Sequence, residues 1–308
     1  MTNSGPATVL VTGAGGNLGS KLVAHLLGLD WCKAIYALDI KPMTGAPFDS
    51  PKVRQVVADL GDAHDSRWYE AVASADGIAH FAVRNPAPSG NWDDAVIAVD
   101  MTASLIARSK PSGCRFLYAS SNHVMGGYKD ADWQAVGKLK AATPPLPGTR
   151  YFSGGGYAQP NMYGGSKLVG ERMLRAHAIV SGGKFTAVSM RVGWCQRGEN
   201  DPKTINPAGG GRSTGGAAVQ PADEAARDLV WFRNMWLSNR DFCALFEAGF
   251  TADASRWPEP GIVVNGTSAN RGALWDLDEA RQWIGYAPKD DVWTSLGIEP
   301  MRSPFDKA

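Results

Sequence analysis

The sequence of 308 residues is poor in cysteine and contains no long apolar run. No uninterrupted apolar stretch approaches the roughly 20 residues that a membrane-spanning helix needs, and residues 1–6 lack the basic and apolar regions of a signal peptide. We therefore predict a cytoplasmic protein without a membrane partner. The four cysteines show neither metal-ligand nor CxxC spacing, so we expect buried free thiols and no metal site.

An excess of charge of one sign is also missing. The chain carries 31 basic and 30 acidic residues, interspersed along the sequence, for a net charge of +1. A surface that binds nucleic acid needs a concentrated basic patch. We therefore predict a small-molecule substrate and no nucleic-acid partner.

Glycine, by contrast, is abundant and is clustered in TGAGGNLG at residues 12–19. An apolar, β-branched run precedes this string and an apolar helical pattern follows it. Gly13, Gly16 and Gly19 allow a tight turn, a close approach of the backbone to a pyrophosphate, and close packing of helix on strand. The amides at the start of that helix would face the phosphates. The pattern predicts a dinucleotide-binding turn, with a glycine-rich surface loop as the alternative.

Two acidic residues follow later apolar runs. Asp39 lies about 20 residues beyond the last glycine of the turn, where a carboxylate accepts hydrogen bonds from a ribose 2′-hydroxyl and repels a 2′-phosphate. NAD is therefore predicted over NADP, and Lys41 is the one residue that would weaken this preference. Asp59, with Leu60, is placed either to meet the adenine edge or to cap a turn.

Tyr163 and Lys167 are spaced by one helical turn, which puts their Cβ atoms about 5–6 Å apart on one helix face. An isolated tyrosine, with a pKa near 10, is a poor base at neutral pH. A neighbouring ammonium and an oxidised nicotinamide ring would both favour the phenolate. Ser121 ends an apolar strand, where ligands of parallel sheets bind. These three residues are the predicted catalytic set, and an amphipathic helix with a boundary tyrosine is the alternative.

The alternation of apolar runs with helical periodicity predicts an α/β fold with a doubly wound, Rossmann-type parallel sheet and a smaller C-terminal lobe. Residues 1–193 are predicted to form the NAD-binding domain, with a long loop at 126–160, and residues 194–308 mainly a substrate-binding lobe. Strands are predicted at 7–12, 34–39, 53–58, 76–83, 114–120 and 185–193, and helices at 17–28, 64–74, 91–109 and 162–181.

Together these motifs resemble the extended short-chain dehydrogenase/reductases of the NAD-dependent epimerase/dehydratase family, over roughly residues 7–290. The resemblance implies a Rossmann fold, catalysis by Ser121, Tyr163 and Lys167, and a homodimer formed through two helices. The helix position that completes the family's catalytic tetrad as asparagine is Asp100 here.

Within the family the chain is most similar to the uronate dehydrogenases. The strings that carry this similarity are SSNHV at 120–124, RVG at 191–193, SNRDF at 238–242, VNGTSAN at 264–270 and GYAPKD at 285–290. The subfamily's carboxylate-binding arginine falls near Trp231 and one of its serines at Trp194, while Arg227 or Arg233 is close enough to substitute. The sequence therefore leaves the identity of the substrate open.

The predicted function is NAD-dependent oxidation of a hemiacetal or secondary hydroxyl of a sugar or sugar acid. The alternatives are a nucleotide-sugar epimerase or dehydratase with tightly bound NAD, and a non-catalytic NAD-binding sensor. The predicted cofactor-binding residues are Gly13, Gly15, Gly16, Asn17, Leu18, Gly19, Asp39, Ile40, Asp59, Leu60, Phe81, Ala82, Val83, Ala119, Tyr163 and Lys167. The predicted substrate-binding residues are Arg84, Asn85, Ser121, Asn122, His123, Trp194 and Arg233.

Overall fold

The computed structural model describes residues 5–85, 90–210 and 219–300. The strands are β1 (Thr8–Thr12), β2 (Ala34–Asp39), β3 (Val53–Val57), β4 (Gly77–His80), β5 (Cys114–Ser121), β6 (Tyr151–Ser153), β7 (Gly156–Ala158), β8 (Phe185–Val192), β9 (Ile205–Asn206), β10 (Gly209–Gly210) and β11 (Gly261–Gly266). The helices are α1 (Asn17–Leu27), α2 (Tyr69–Ser74), α3 (Trp92–Arg108), α4 (Trp133–Val136), α5 (Met162–Val180), α6 (Ala222–Asn234), α7 (Asn239–Thr251), α8 (Asp278–Ile284) and α9 (Val292–Leu296).

Seven of these strands form one parallel sheet in the order β11, β8, β5, β4, β1, β2, β3. The order reverses between β1 and β4, and in such sheets a ligand crevice opens there, outside the carboxyl ends of the strands. This confirms the predicted Rossmann-type fold. The predicted strands and helices all occur, although several of their ends differ.

Apolar residues cover both faces of the sheet because successive strand side chains point to opposite sides. Val9 and Val11 of β1 pack on one face with α1 and α7, while Leu10 packs on the other face with α2, α3 and α5. The four cysteines are free thiols, of which Cys32 and Cys114 are buried and Cys195 and Cys243 are half-buried.

Two predicted elements are shorter than expected. The strand predicted to reach residue 83 ends at His80, because the amides of Phe81 and Ala82 turn to the Thr12 hydroxyl, each at 3.2 Å. The helix predicted from residue 64 begins at Tyr69. Aspartate side chains before it, such as Asp65, accept hydrogen bonds from backbone amides and hold the chain in turns instead.

The segment 126–160, predicted as a long loop, contains regular structure. It includes most of a 3₁₀ helix at Asn122–Asp130, then α4 and the β6–β7 hairpin. Its apolar residues share a core with the C-terminal part of the chain, for example Leu139 with Trp231 and Trp293. The smaller lobe is therefore built from both regions.

The C-terminal part also returns to the main sheet, which the sequence analysis did not predict. Strand β11 pairs in parallel with β8 over its full length, from Gly261 opposite Ala187 to Gly266 opposite Val192. Residues after 193 thus supply both the edge of the Rossmann sheet and much of the smaller lobe.

Close packing between α1 and the preceding turn depends on one glycine. A Cβ atom on Gly19 would lie 2.2 Å from the carbonyl oxygen of Gly13 and 2.8 Å from the Cα atom of Ala14. Gly13 itself has a φ of +64°, in the left-handed region. The turn and helix can approach this closely only because neither residue carries a side chain.

We predict that Gly19→Ala lowers the free energy of unfolding by about 1–3 kcal/mol, because the added methyl group overlaps backbone atoms that cannot move aside. Urea unfolding followed by circular dichroism measures this difference. The matched control is Gly165→Ala in α5, where a Cβ meets nothing within 4 Å, and which should raise stability by about 0.5–1 kcal/mol. Equal stability of the Gly19→Ala variant and the wild type would contradict the prediction.

Candidate active site

A cleft of about 990 Å³ opens at the carboxyl ends of the central strands. Residues that follow β1, β2, β3, β4, β5 and β8 line it, together with the first turns of α1 and α5. A pocket at this edge is what the reversal of strand order predicts.

The glycine turn and the acidic residues line one end of the cleft. Of the residues predicted to bind the cofactor, all except Gly15 are part of the lining. The Gly15 amide instead donates a hydrogen bond to Asp39 Oδ2 at 2.9 Å, and the Ile40 amide donates to Asp39 Oδ1 at 2.8 Å. The Gly15 amide thus orients the carboxylate, and a contact of Gly15 with the cofactor stays a prediction.

Asp59 takes part in a turn and also lines the cleft, and its contact with adenine stays a prediction. Its Oδ1 accepts a hydrogen bond from the Gly61 amide at 2.8 Å, as in a turn, while Oδ2 pairs with Arg84 at 2.8 Å within the cleft lining. The arrangement fits a dinucleotide. The backbone amides of the glycine turn would bind the phosphates, and the Asp39 carboxylate lies where a ribose would bind.

The three predicted catalytic residues meet on one wall of the cleft. Tyr163 and Lys167 extend from the first two turns of α5, and Ser121 ends β5. Lys167 Nζ lies 5.7 Å from the centroid of the Tyr163 ring and 4.8 Å from that of Tyr118. The Ser121 hydroxyl hydrogen-bonds to Tyr163 and accepts the His123 amide at 3.1 Å.

Burial shifts the pKa values of this pair in opposite directions. It raises the pKa of Tyr163 to about 12, against a smaller lowering by Ser121, and it lowers the pKa of Lys167 to about 8. The net pKa of the phenol is therefore raised in the protein alone, because desolvation disfavours the phenolate more strongly than Ser121 favours it.

A buried ion pair positions the catalytic helix. Glu171, one turn beyond Lys167, pairs with Arg191 of β8 through two contacts of 3.0 Å, and both side chains are 1% exposed. Ser120 of β5 donates to the same carboxylate at 2.6 Å. The pair thus joins α5 to both strands beside the catalytic wall. Sequence analysis missed this role, although the four-residue spacing from Lys167 to Glu171 already placed them on one helix face.

A buried polar chain lies behind Lys167. Thr12 Oγ1 lies 2.7 Å from His80 Nδ1, and His80 Nε2 lies 3.2 Å from Thr102 Oγ1. Burial, with a smaller effect of Lys167, holds the pKa of His80 well below its usual value, so this imidazole is neutral. Asp100, the residue expected at the tetrad position, is exposed. Thr102, two residues later on α3, is buried and contacts His80.

The predicted substrate residues divide into two groups. Arg84, Ser121, Asn122, His123 and Trp194 line the cleft. Asn122 is 2% exposed and donates to the Val192 carbonyl at 2.9 Å, while its Oδ1 has no hydrogen-bond partner within the described part of the chain. A buried acceptor at the cleft wall is suited to a hydroxyl group of a ligand.

Two predicted substrate residues lie outside this lining. Asn85 donates to the carboxylate of Asp94 at 3.1 and 3.2 Å. The Arg233 guanidinium lies 5.9 Å from the centroid of the Trp293 ring. Asn85 and Arg233 therefore engage these neighbours, and their role in substrate binding stays a prediction.

Arg227, the other candidate for a carboxylate clamp, is also directed elsewhere. It donates to the Ala131 carbonyl and lies 5.0 Å from the centroid of the Trp133 ring. The segment after β8, by contrast, supplies lining residues that sequence analysis missed. They are Gln196, Arg197, Glu199, Asn200, Asp201 and Thr204. Their position directly after the end of β8 was the sequence feature that could have identified them as lining residues.

Within residues 5–85, 90–210 and 219–300, no three His, Cys, Asp or Glu side chains are grouped so that they could hold a metal ion. None of the helices in the same ranges is long and apolar enough to cross a membrane.

Comparison with known proteins identifies a matching family and several relatives. The sequence model of the NAD dependent epimerase/dehydratase family matches residues 9–193. An NAD-dependent glucose-6-phosphate dehydrogenase of Haloferax volcanii is 28% identical over 295 residues, which is 92% of this chain and 93% of the relative. An L-arabinose 1-dehydrogenase (NAD(P)(+)) of the same organism is 27% identical over 298 residues, 94% of this chain and 98% of the relative.

Among solved structures, a glucuronic acid dehydrogenase from Chromohalobacter salexigens shares the fold with a TM-score of 0.64 at 24% identity. The match covers 98% of this chain and 92% of that one.

The buried lysine generates a prediction about stability. We expect Lys167→Met to raise the free energy of unfolding at pH 7 by about 3 kcal/mol, since burial lowers the lysine pKa from 10.5 to about 8 and one pKa unit corresponds to about 1.4 kcal/mol. Between these two values the unfolded chain binds the proton that the folded chain has released, so wild-type stability rises with pH relative to the variant.

Urea unfolding of the cofactor-free protein at pH 7, 8, 9 and 10 tests this expectation. The advantage of Lys167→Met should narrow as the pH rises through this range. Lys41→Met, at an exposed position, is the control and should show no such pH dependence. A stability difference that stays constant with pH would contradict the assignment of a depressed lysine pKa.

Proposed function

Because the chain belongs to the NAD-dependent epimerase/dehydratase family, we propose that it is an NAD-dependent dehydrogenase that oxidises a hydroxyl group of a sugar. The convergence of Tyr163, Lys167 and Ser121 on one wall of a dinucleotide-shaped cleft carries this proposal. The two curated relatives support it, since their names describe NAD-linked oxidation of glucose 6-phosphate and of L-arabinose.

NAD would be held by the glycine turn, with its adenosine ribose at Asp39. When bound, it supplies the acceptor for the hydride that leaves the substrate carbon. Lys167, buried and with a pKa of about 8, is mainly charged at neutral pH and would hydrogen-bond to the nicotinamide ribose. Phe81, Ala82 and Ala119 would pack along the dinucleotide from the neighbouring strand ends.

Tyr163 would take the proton of the substrate hydroxyl at its phenolic oxygen. Ser121 would donate a hydrogen bond to the same substrate oxygen, since its own Oγ already accepts the His123 amide. Burial opposes the phenolate in the protein alone. The positive charge of Lys167 and of an oxidised nicotinamide ring in the same cleft would favour the phenolate and bring the group nearer to the pH of the reaction.

The substrate would occupy the other end of the cleft, against Asn122, His123 and Trp194. Its reacting group would be a hemiacetal or secondary hydroxyl. The lining there carries Glu199 and Asp201 beside Arg197, and a carboxylate is best recognised by a paired guanidinium. Because Arg227 and Arg233 pack on tryptophans instead, we propose that a neutral sugar is preferred over a uronate.

We also propose that residues after 193 act mainly in substrate binding, and that the protein is a homodimer. Exposed apolar residues on α3 and α5, such as Trp92, Val96, Val169 and Ile179, support pairing through these helices. A cytoplasmic location stays a prediction.

Formation of NADH, followed at 340 nm with neutral aldoses, uronates, sugar phosphates, polyols and aryl alcohols, tests the proposal. Stoichiometric NADH with a neutral aldose supports it. Conversion of a nucleotide sugar without net NADH would instead show an epimerase or dehydratase. Tight binding of NAD without turnover of any substrate would favour a sensor.

We predict that Tyr163→Phe lowers kcat by at least about 100-fold, in line with the loss of a general acid or base, while the affinity for NAD changes by less than about threefold. Steady-state kinetics and the quenching of tryptophan fluorescence by NAD measure the two quantities. Tyr157→Phe, at an exposed tyrosine outside the cleft lining, is the control. A kcat for Tyr163→Phe close to that of the wild type would contradict the proposed mechanism.

We predict that Asp39→Asn lowers the ratio of kcat/KM for NAD over NADP by at least about tenfold, because repulsion of a 2′-phosphate by a like charge is removed while the side chain keeps its size. Lys41→Gln should move the ratio slightly the other way. An unchanged ratio in Asp39→Asn would mean that another residue selects the cofactor.

A further inference from the structure

One contact joins the segment 126–160 to the cleft through a side chain. Thr149 is 1% exposed, and its Oγ1 lies 2.7 Å from Nδ1 of His123. His123 lines the cleft and follows Ser121 by two residues. A residue of the smaller lobe therefore contacts an imidazole that stands beside the catalytic serine.

The backbone around this contact is tightly held. The Gly148 amide donates to the His123 carbonyl at 3.1 Å, and the Leu146 amide donates to the Val124 carbonyl at 3.0 Å. A Cβ on Gly126 would lie 2.1 Å from Thr149 Oγ1, and one on Gly164 of α5 would lie 2.6 Å from the His123 carbonyl oxygen. The backbone of Gly126 therefore packs directly against the Thr149 hydroxyl, at a position where no side chain fits.

The direction of the hydrogen bond follows from the needs of the buried hydroxyl. Among the residues that the structure describes, His123 is the hydrogen-bond partner of Thr149 Oγ1, and no backbone carbonyl accepts from it. If Nδ1 carried the proton, the hydroxyl hydrogen would be buried without an acceptor, which costs about 1–3 kcal/mol. If the hydroxyl donates to Nδ1, both groups are satisfied, and the imidazole proton resides on Nε2.

The His123 ring packs edge-on against two aromatic rings of the cleft lining. Its centroid lies 5.9 Å from that of Tyr163 and 6.2 Å from that of Trp194, with interplanar angles of 75° and 79°. These edge contacts limit rotation of the ring. The tautomer and the orientation of His123 are therefore set together by Thr149, Tyr163 and Trp194.

We propose that Thr149 is a positioning residue, whose hydroxyl fixes His123 as the Nε2–H tautomer so that His123 donates a hydrogen bond to an oxygen of the sugar. The proposed contact of His123 with the sugar rests on the proposed function. The proposed tautomer of His123 rests on the Thr149–His123 geometry alone. The segment 126–160 thereby takes an indirect part in substrate recognition, through His123.

Substitutions at Thr149 separate the hydroxyl from the rest of the side chain. Thr149→Val keeps the shape and removes the donor, whereas Thr149→Ser keeps the donor. We expect Thr149→Val to raise the KM for the sugar by about tenfold, with kcat changed by less than about threefold and the KM for NAD unchanged. Thr149→Ser should restore the sugar KM to within about threefold of the wild type.

A measurement without substrate tests the tautomer of His123 separately from its contact with the sugar. Nitrogen-15 NMR of the imidazole side chains in the full-length protein reports the tautomer of His123, assigned by comparison with His123→Gln. We expect the Nε2–H form in the wild type and in Thr149→Ser, and a mixture of tautomers in Thr149→Val. The wild-type spectrum decides the tautomer even if Thr149→Val does not fold.

An Nδ1–H tautomer in the wild type would overturn the proposal, and so would an unchanged sugar KM in a folded Thr149→Val. If no sugar is oxidised, the proposed function fails and the recognition role fails with it. The NMR result then still decides whether Thr149 sets the tautomer, so the two failures are distinguishable.

Discussion

The catalytic wall of the cleft depends on one buried carboxylate. Glu171 receives Arg191 from β8 and Ser120 from β5, while its own helix carries Tyr163 and Lys167. A buried charge that loses its partner costs about 3–5 kcal/mol, so α5 cannot slide along the sheet without a large loss of stability. Glu171 therefore links α5, which carries Tyr163 and Lys167, to the strand that ends in Ser121.

Burial that gives the site its geometry also sets its charge. Removing Tyr163 and Lys167 from water favours the neutral form of each, which raises one pKa and lowers the other. His80 behind them is neutral for the same reason. Functional sites commonly hold groups in such destabilised states, at some expense of stability. Here burial disfavours the charges that the proposed reaction uses.

The substrate end of the cleft has a different origin. Its residues come from the 3₁₀ helix after β5, from the segment 126–160 and from the chain after β8, and these stretches share one apolar core. Trp133 and Trp293, which pack in this core, also contact the guanidinium groups of Arg227 and Arg233. Packing of the lobe thus places these two guanidinium groups against tryptophan rings.

Local sequence patterns alone determined the Rossmann sheet, the glycine turn, Asp39 and the spacing of Tyr163 and Lys167. Each of these is written in residues close together in the chain, through periodicity, glycine spacing and helical repeat. Strand β11, the burial of Thr102 beside an exposed Asp100, the packing of Arg233 on Trp293 and the contact of Thr149 with His123 were decided only by tertiary structure. These features depend on which distant segments pack together and on how much water that packing removes, and neither is encoded in a local pattern.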